Sequence, residues 1–92
     1  MAGYSVILTK AAAKEIDRIA SRADRQRIEH RIRQLAANPH PPGSKKLKGE
    51  TGRYRIRQGD YRILYTVEEE IRVVAIVQVA HRKDVYRRRG RA

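Results

Sequence analysis

YRIRQGDYRILY, residues 54–65, decides the architecture. Its side chains alternate on both sides of Gln58-Gly59-Asp60. Strict alternation marks a half-buried strand, and two such runs joined by a short Gly-containing link read as a β-hairpin. Gly59 supplies the positive φ that so tight a turn requires. Strands are therefore expected over residues 53–57 and 61–67. What alternates is unusual. Tyr54 and Ile56 share one face of the first strand, and Tyr61, Ile63, Tyr65 and Val67 share one face of the second. The opposite positions hold Arg53, Arg55 and Arg57, then Arg62, Leu64 and Thr66.

Beyond the hairpin, Glu68-Glu69-Glu70 reads as a turn. Residues 71–79 are apolar at almost every position, the pattern of a central strand covered on both faces. Regular alternation groups Arg72, Val74, Ile76, Gln78, Ala80 and Arg82 on one side of that segment. Upstream, residues 40–52 contain two prolines and three glycines and are expected to be a surface loop. Ile28, Ile32, Leu35 and Ala36 recur at helical spacing, with Ser21 as N-cap and Asn38-Pro39 as the stop. Ala12, Ile16, Ile19, Ala20 and Ala23 do the same, with Thr9 as cap. Residues 4–8, YSVIL, form a first strand. The order β-α-α-β-β-β predicts an α+β domain: two helices on one face of a mainly antiparallel four-stranded sheet. Residues 1–92 make one domain, with 88–92 expected to be a mobile tail.

Composition narrows the function classes. The chain has 92 residues, 22 Lys plus Arg against 10 Asp plus Glu, and no cysteine. Disulfides and cysteine metal sites are excluded, and a reducing cytoplasmic setting is expected. No apolar run is long enough to span a bilayer, and the first residues do not read as a leader. The net charge of +12 attracts polyanions, nucleic acid before acidic protein. The excess is uneven: residues 1–43 hold eight basic and four acidic side chains, residues 44–92 fourteen and six. Arginine predominates, which favours bidentate phosphate contacts over diffuse attraction.

The helices need an apolar partner and cover only one sheet face. The face left open is expected to carry Arg55, Arg57, Arg62 and Gln78, with Arg82 at the strand end. Only Glu50 and Asp60 are acids close to it in sequence. Like charges crowded on a sheet repel, so a single-sign cluster of this kind is best explained by an anionic ligand. Arg53 and Arg72 are read as ordinary solvated positions. Lys45, Lys46, Lys48 and Lys83 are expected to contact phosphates without sequence choice.

KKLKG at 45–49, YRIR at 54–57, GDYRILY at 59–65, IRVVAIVQVAHR at 71–82 and HRKDVYR at 81–87, in that order and spacing, resemble the RelE/ParE toxin superfamily, specifically its RelE-like mRNA interferase branch. The resemblance covers nearly the whole chain. It implies the toxin of a type II toxin-antitoxin system, an endoribonuclease that cleaves messenger RNA in the ribosomal A site by attack of the substrate 2′-hydroxyl. It further implies that neither metal nor cofactor is needed. The implied catalytic positions are Arg55, Arg57, Arg62, Arg82 and Tyr86. The implied partners are a RelB-like antitoxin with an acidic wrapping segment, the ribosome and mRNA, and DNA only through the antitoxin. A gyrase-poisoning toxin of the ParE kind and a catalytically weak RNA-binding member are the alternatives.

Cleavage by 2′-hydroxyl attack needs a base, cations to hold the phosphorane charge, and an acid for the leaving oxygen. Arginines suit the second role: Arg62 and Arg82 at the scissile phosphate, Arg55 and Arg57 at it or its neighbour. Family members carry lysine at one or both first-strand positions. Here both are arginine, which hardly deprotonates. His81 and Tyr86 are the remaining candidates for proton transfer, although His81 faces away from Arg82 on a regular strand. Tyr86 also suits base stacking. Tyr54, Tyr61 and Tyr65 are assigned to the core.

Overall fold

The computed structural model describes residues 3–49 and 52–83. Among these described residues seven elements follow in chain order: β1 (Ser5–Leu8), α1 (Lys10–Asp17), α2 (Arg22–Gln34), β2 (Lys45–Lys46), β3 (Arg53–Gln58), β4 (Tyr61–Glu68) and β5 (Val73–His81). The expected α+β arrangement holds, with one strand more than expected. β2 lies inside the Gly- and Pro-rich stretch read as loop. Lys45 pairs with Arg55 and Lys46 with Tyr54, so the strand character of β2 comes from the edge of β3 and not from local propensity. The sheet order is β1-β5-β4-β3-β2, with β1 parallel to β5 and the other pairs antiparallel. β5 lies inside the sheet, between β1 and β4, as its apolar composition suggested, although the middle position belongs to β4. β5 starts at Val73 and not at residue 71, because Arg72 has φ +53°, a conformation no strand continues through.

Both helices begin where the caps predict. The Thr9 hydroxyl accepts from the Ala12 N–H at 3.2 Å and the Ser21 hydroxyl from the Asp24 N–H at 3.2 Å. Ala12, Ile16 and Ile19 are buried by the first helical segment, and Ile28, Ile32 and Leu35 by the second. Ala20 and Ala23, expected on the same apolar stripe, are exposed, since α1 ends at Asp17. The hairpin loop is only Gly59-Asp60, because Gln58 pairs with Tyr61. Gly59 has φ +60° and Asp60 is not in the left-handed region, as a type II′ turn requires. The helices pack on Ile56, Ile63, Tyr65, Val67, Val74, Ile76 and Val79 to form one core. Among the described residues no helix is long and apolar enough to cross a membrane.

One irregularity sets the site. Tyr65 pairs with Ile76 but Leu64 pairs with Gln78, so Val77 is an extra residue on β5. Such a bulge reverses the alternation beyond it. Val74 and Ile76, grouped above with Gln78, Ala80 and Arg82, are fully buried on the helix side. After the bulge Val79 and His81 take the helix side, and Gln78 and Ala80 the open side. α1 fixes this kink where β1 has run out. The Thr9 N–H donates to the Ile76 carbonyl at 3.1 Å, and its hydroxyl donates to the Val77 carbonyl at 3.3 Å. The Val79 N–H donates to Glu15 Oε1 at 2.7 Å.

A second cluster ties the segment after α2 to the sheet. The buried Tyr65 hydroxyl donates to the Pro39 carbonyl at 2.8 Å, Tyr54 stacks on Tyr65, and His40 meets Tyr54 edge-on. Glu69 accepts from the Tyr4 hydroxyl and lies 2.9 Å from His40 Nε2. Its carboxyl pKa is held below the ordinary 4.5, first by the Tyr4 hydrogen bond and then by His40. A carboxylate with a depressed folded pKa stabilises the fold above its unfolded pKa, and the effect is lost as pH falls through the folded value. Glu69→Gln is therefore expected to lower the urea midpoint near neutral pH, with the gap to wild type closing below pH 4.5. A gap that stays constant with pH would show that the Glu69 charge does not contribute.

Candidate nucleic-acid interface

The open face is built by cross-strand register. Arg57 on β3 lies directly opposite Arg62 on β4, and Arg62 opposite Ala80 on β5. One row further, Lys45, Arg55, Leu64 and Gln78 face one another across β2 to β5. Two adjoining clefts result. The first, about 260 Å³, is lined by Gly43, Lys45, Arg55, Arg57 and Arg62, among others. The second, about 250 Å³, is lined by Arg57, Gly59, Asp60, Tyr61, Arg62 and Arg82. Arg57 and Arg62 belong to both. All four arginines expected on the open face therefore converge on one continuous surface. Ala80, small and buried, leaves the space opposite Arg62 unfilled by any longer side chain.

The electrostatics are one-sided. Among the described residues, no carboxylate pairs with Arg55, Arg57 or Arg62. Arg82 is held near the turn by its backbone, its N–H donating to the Asp60 carbonyl at 2.8 Å. Its guanidinium is 3.9 Å from the Asp60 carboxylate, with both side chains about two-thirds exposed. An ion pair that exposed contributes about 0–1 kcal/mol, so an incoming phosphate displaces it easily. Like charges directly opposite on a sheet, as at Arg57 and Arg62, destabilise by up to ~1 kcal/mol. An oxyanion between them converts that repulsion into two charge-assisted contacts.

The other candidates fall in different places. Lys45 joins the arginine face. Lys46, paired with Tyr54, projects to the opposite side, because adjacent strand residues alternate. Lys48 and Lys83 are exposed outside the strands. His81 sits on the helix side, edge-on to Tyr61 at 5.1 Å, and its Nδ1 accepts from the Lys83 N–H at 3.2 Å. β5 runs through His81, so the strand does not end early enough to turn it toward the arginines. Tyr86 and the tail 88–92 lie outside the described residues. Tyr61, assigned to the core, is half-buried, packs against the core and also lines the second cleft. Its place directly after the turn, next to Arg62, was the available signal.

Comparison with known proteins follows the same lines. The family model described as "ParE toxin of type II toxin-antitoxin system, parDE" matches residues 6–86. The chain is 31% identical over 85 residues to toxin RelG of Mycobacterium tuberculosis, covering 92% of this chain and 98% of RelG. It is 30% identical over 84 residues to toxin RelE of the same organism, covering 91% and 87%. Among solved structures, a chain of the archaeal RelE-RelB complex from Pyrococcus horikoshii superposes with a TM-score of 0.77 at 29% identity, over 89% of this chain and 97% of that one. The matched length, the shared fold and the curated relatives place this chain in the ParE toxin family of type II toxin-antitoxin systems, on the RelE-like branch of the RelE/ParE superfamily.

Proposed function

We propose that the arginine face binds RNA and promotes its cleavage on the ribosome. The observation that carries this reading is the convergence of Arg55, Arg57, Arg62 and Arg82 on adjoining clefts, three of them without a carboxylate partner among the described residues. In the reaction, the ribose 2′-oxygen attacks the adjacent phosphorus and the bond to the 5′-oxygen breaks. The products are a 2′,3′-cyclic phosphate and a free 5′-hydroxyl. Arg62 and Arg82 stabilise the charge gathering on the phosphorane oxygens, while Arg55 and Arg57 hold the same phosphate or the next. Donors aimed at developing charge supply the largest share of such catalysis. Lys45 extends the cationic track. Tyr86 is assigned proton transfer or stacking by family resemblance alone, and His81, on the other face, is given no part.

Complexes such as RelE-RelB of P. horikoshii support an antitoxin partner. The unpaired arginines favour an acidic segment, which would neutralise the face while it is covered. This reading implies a cytoplasmic protein, where messages are translated. The test is incubation of the full chain with ribosomes programmed with a defined message, followed by mapping of the new 5′ ends. Cuts within the A-site codon are expected. Intact message together with gyrase-dependent DNA breaks would replace this reading with the gyrase-poisoning alternative.

A further inference from the structure

The open face does not end at the arginines. Beside them, between α1 and the sheet, runs an open groove of about 320 Å³ lined by Ala11, Glu15, Arg53, Leu64, Val77 and Gln78. Its character differs from that of the adjoining clefts: three aliphatic side chains and a carboxamide stand beside a single guanidinium and a carboxylate, where the clefts gather several guanidinium groups. From this we infer that the groove is a nucleobase subsite, with Gln78 as the residue that reads the base. The inference rests on the RNA-binding part of the proposed function.

Three observations support it. The first is position. Leu64 lies two residues from Arg62 along β4, and Gln78 two residues from Ala80, the residue facing Arg62. Two residues along a strand span roughly 7 Å, about the reach from a phosphate held by Arg62 to the base of the same nucleotide. Arg55, directly across from Leu64, is placed to grip the next phosphate. The second is chemistry. A base has an apolar face and a polar edge. Leu64, Val77 and Ala11 offer a surface for the face, and a carboxamide offers one donor and one acceptor to the edge. That pair matches adenine, whose N6 donates and N7 accepts. Unpaired RNA bases are read through such edges. The third is that Gln78 is half-buried and, among the described residues, its side chain has no hydrogen-bond partner. A carboxamide partly withdrawn from water gains by acquiring one. The bulge at Val77 brings Gln78 to this face: were Val77 paired with β4 in a regular ladder, the Gln78 amide would point at the helices.

The experiment uses the full chain and uridine decamers bearing 2′-methoxy groups, which cannot be cleaved, with a single central A, G, C or U. Affinity is read by fluorescence anisotropy over a range of salt. Wild type is expected to bind the adenine decamer about five- to tenfold more tightly than the others. Gln78→Leu is expected to abolish the preference and leave the salt slope unchanged, since no phosphate contact is removed. Gln78→Glu, which keeps the shape and loses the donor, is expected to move the preference to cytosine, whose exocyclic amine donates. It serves as the second variant should Gln78→Leu fail to fold. Equal binding of all four decamers by wild type, binding of none, or an adenine preference that survives the substitutions overturns the inference. Adenine-selective binding by a chain that leaves ribosome-bound message intact would remove the cleavage reading and retain this one. A chain that cuts message but binds the four decamers alike would do the reverse.

Discussion

Deleting Val77 is expected to leave the cationic face in place and to lower the stability of the domain by about 0.5–1.5 kcal/mol, the usual worth of one hydrogen bond. Val77 is the extra residue of the β5 bulge. Without it Ile76 and Gln78 become neighbours and keep their partners Tyr65 and Leu64 in a regular ladder. Gln78 and Ala80 therefore stay on the open side, and Val79, now buried, stays on the helix side. What is lost is the bond from the Thr9 hydroxyl to the Val77 carbonyl. Urea denaturation should show a modest drop in midpoint, and RNA affinity should persist. A deletion variant that folds but no longer binds RNA would mean that the face depends on the bulge itself and not on the pairing register.

Replacing Arg62 by alanine is expected to reduce RNA cleavage by about 10²–10³-fold, the usual cost of removing one preorganised donor from a developing oxyanion. The fold should survive. Arg62 lies on the face away from the core, has no carboxylate partner among the described residues, and faces Arg57 across the strands. Relieving that like-charge pair should raise the urea midpoint slightly, by up to ~1 kcal/mol of stability. Lysine at the same position keeps the charge but loses the two parallel donors, so Arg62→Lys should fall between wild type and alanine. Unchanged cleavage by a folded Arg62→Ala protein would remove this residue from the chemistry.

How much of this was legible in the sequence depends on the distance over which each feature is encoded. The helix starts at Thr9 and Ser21 were legible because a cap is a contact between neighbours three residues apart. The hairpin was legible because Gly59-Asp60 fixes its own register. With the register set, Arg55, Arg57 and Arg62 had to share a face. The Val77 bulge was not legible. Nine consecutive residues of β5 are almost all apolar, so slipping the alternation by one leaves the pattern looking the same. Gln78 and Ala80 were placed correctly only together with Val74 and Ile76, which belong to the core. β2 escaped notice because a two-residue strand exists only through its partner, and that pairing also divides Lys45 from Lys46. Tyr61 escaped as a cleft residue because a half-buried tyrosine at a hairpin end serves both faces. His81 follows the helix side because β5 continues through it.

The central claim is that guanidinium groups from separate strands grip a single phosphodiester, and a double-mutant cycle tests it most directly. Single-turnover cleavage of a defined message on programmed ribosomes is measured for wild type, Arg62→Ala, Arg82→Ala and the double variant. Groups acting on the same phosphate are coupled. The double variant should therefore lose far less than the product of the two single losses, with each single loss already about 10²–10³-fold. Losses that multiply independently, or single variants that cleave as wild type does, would contradict the account.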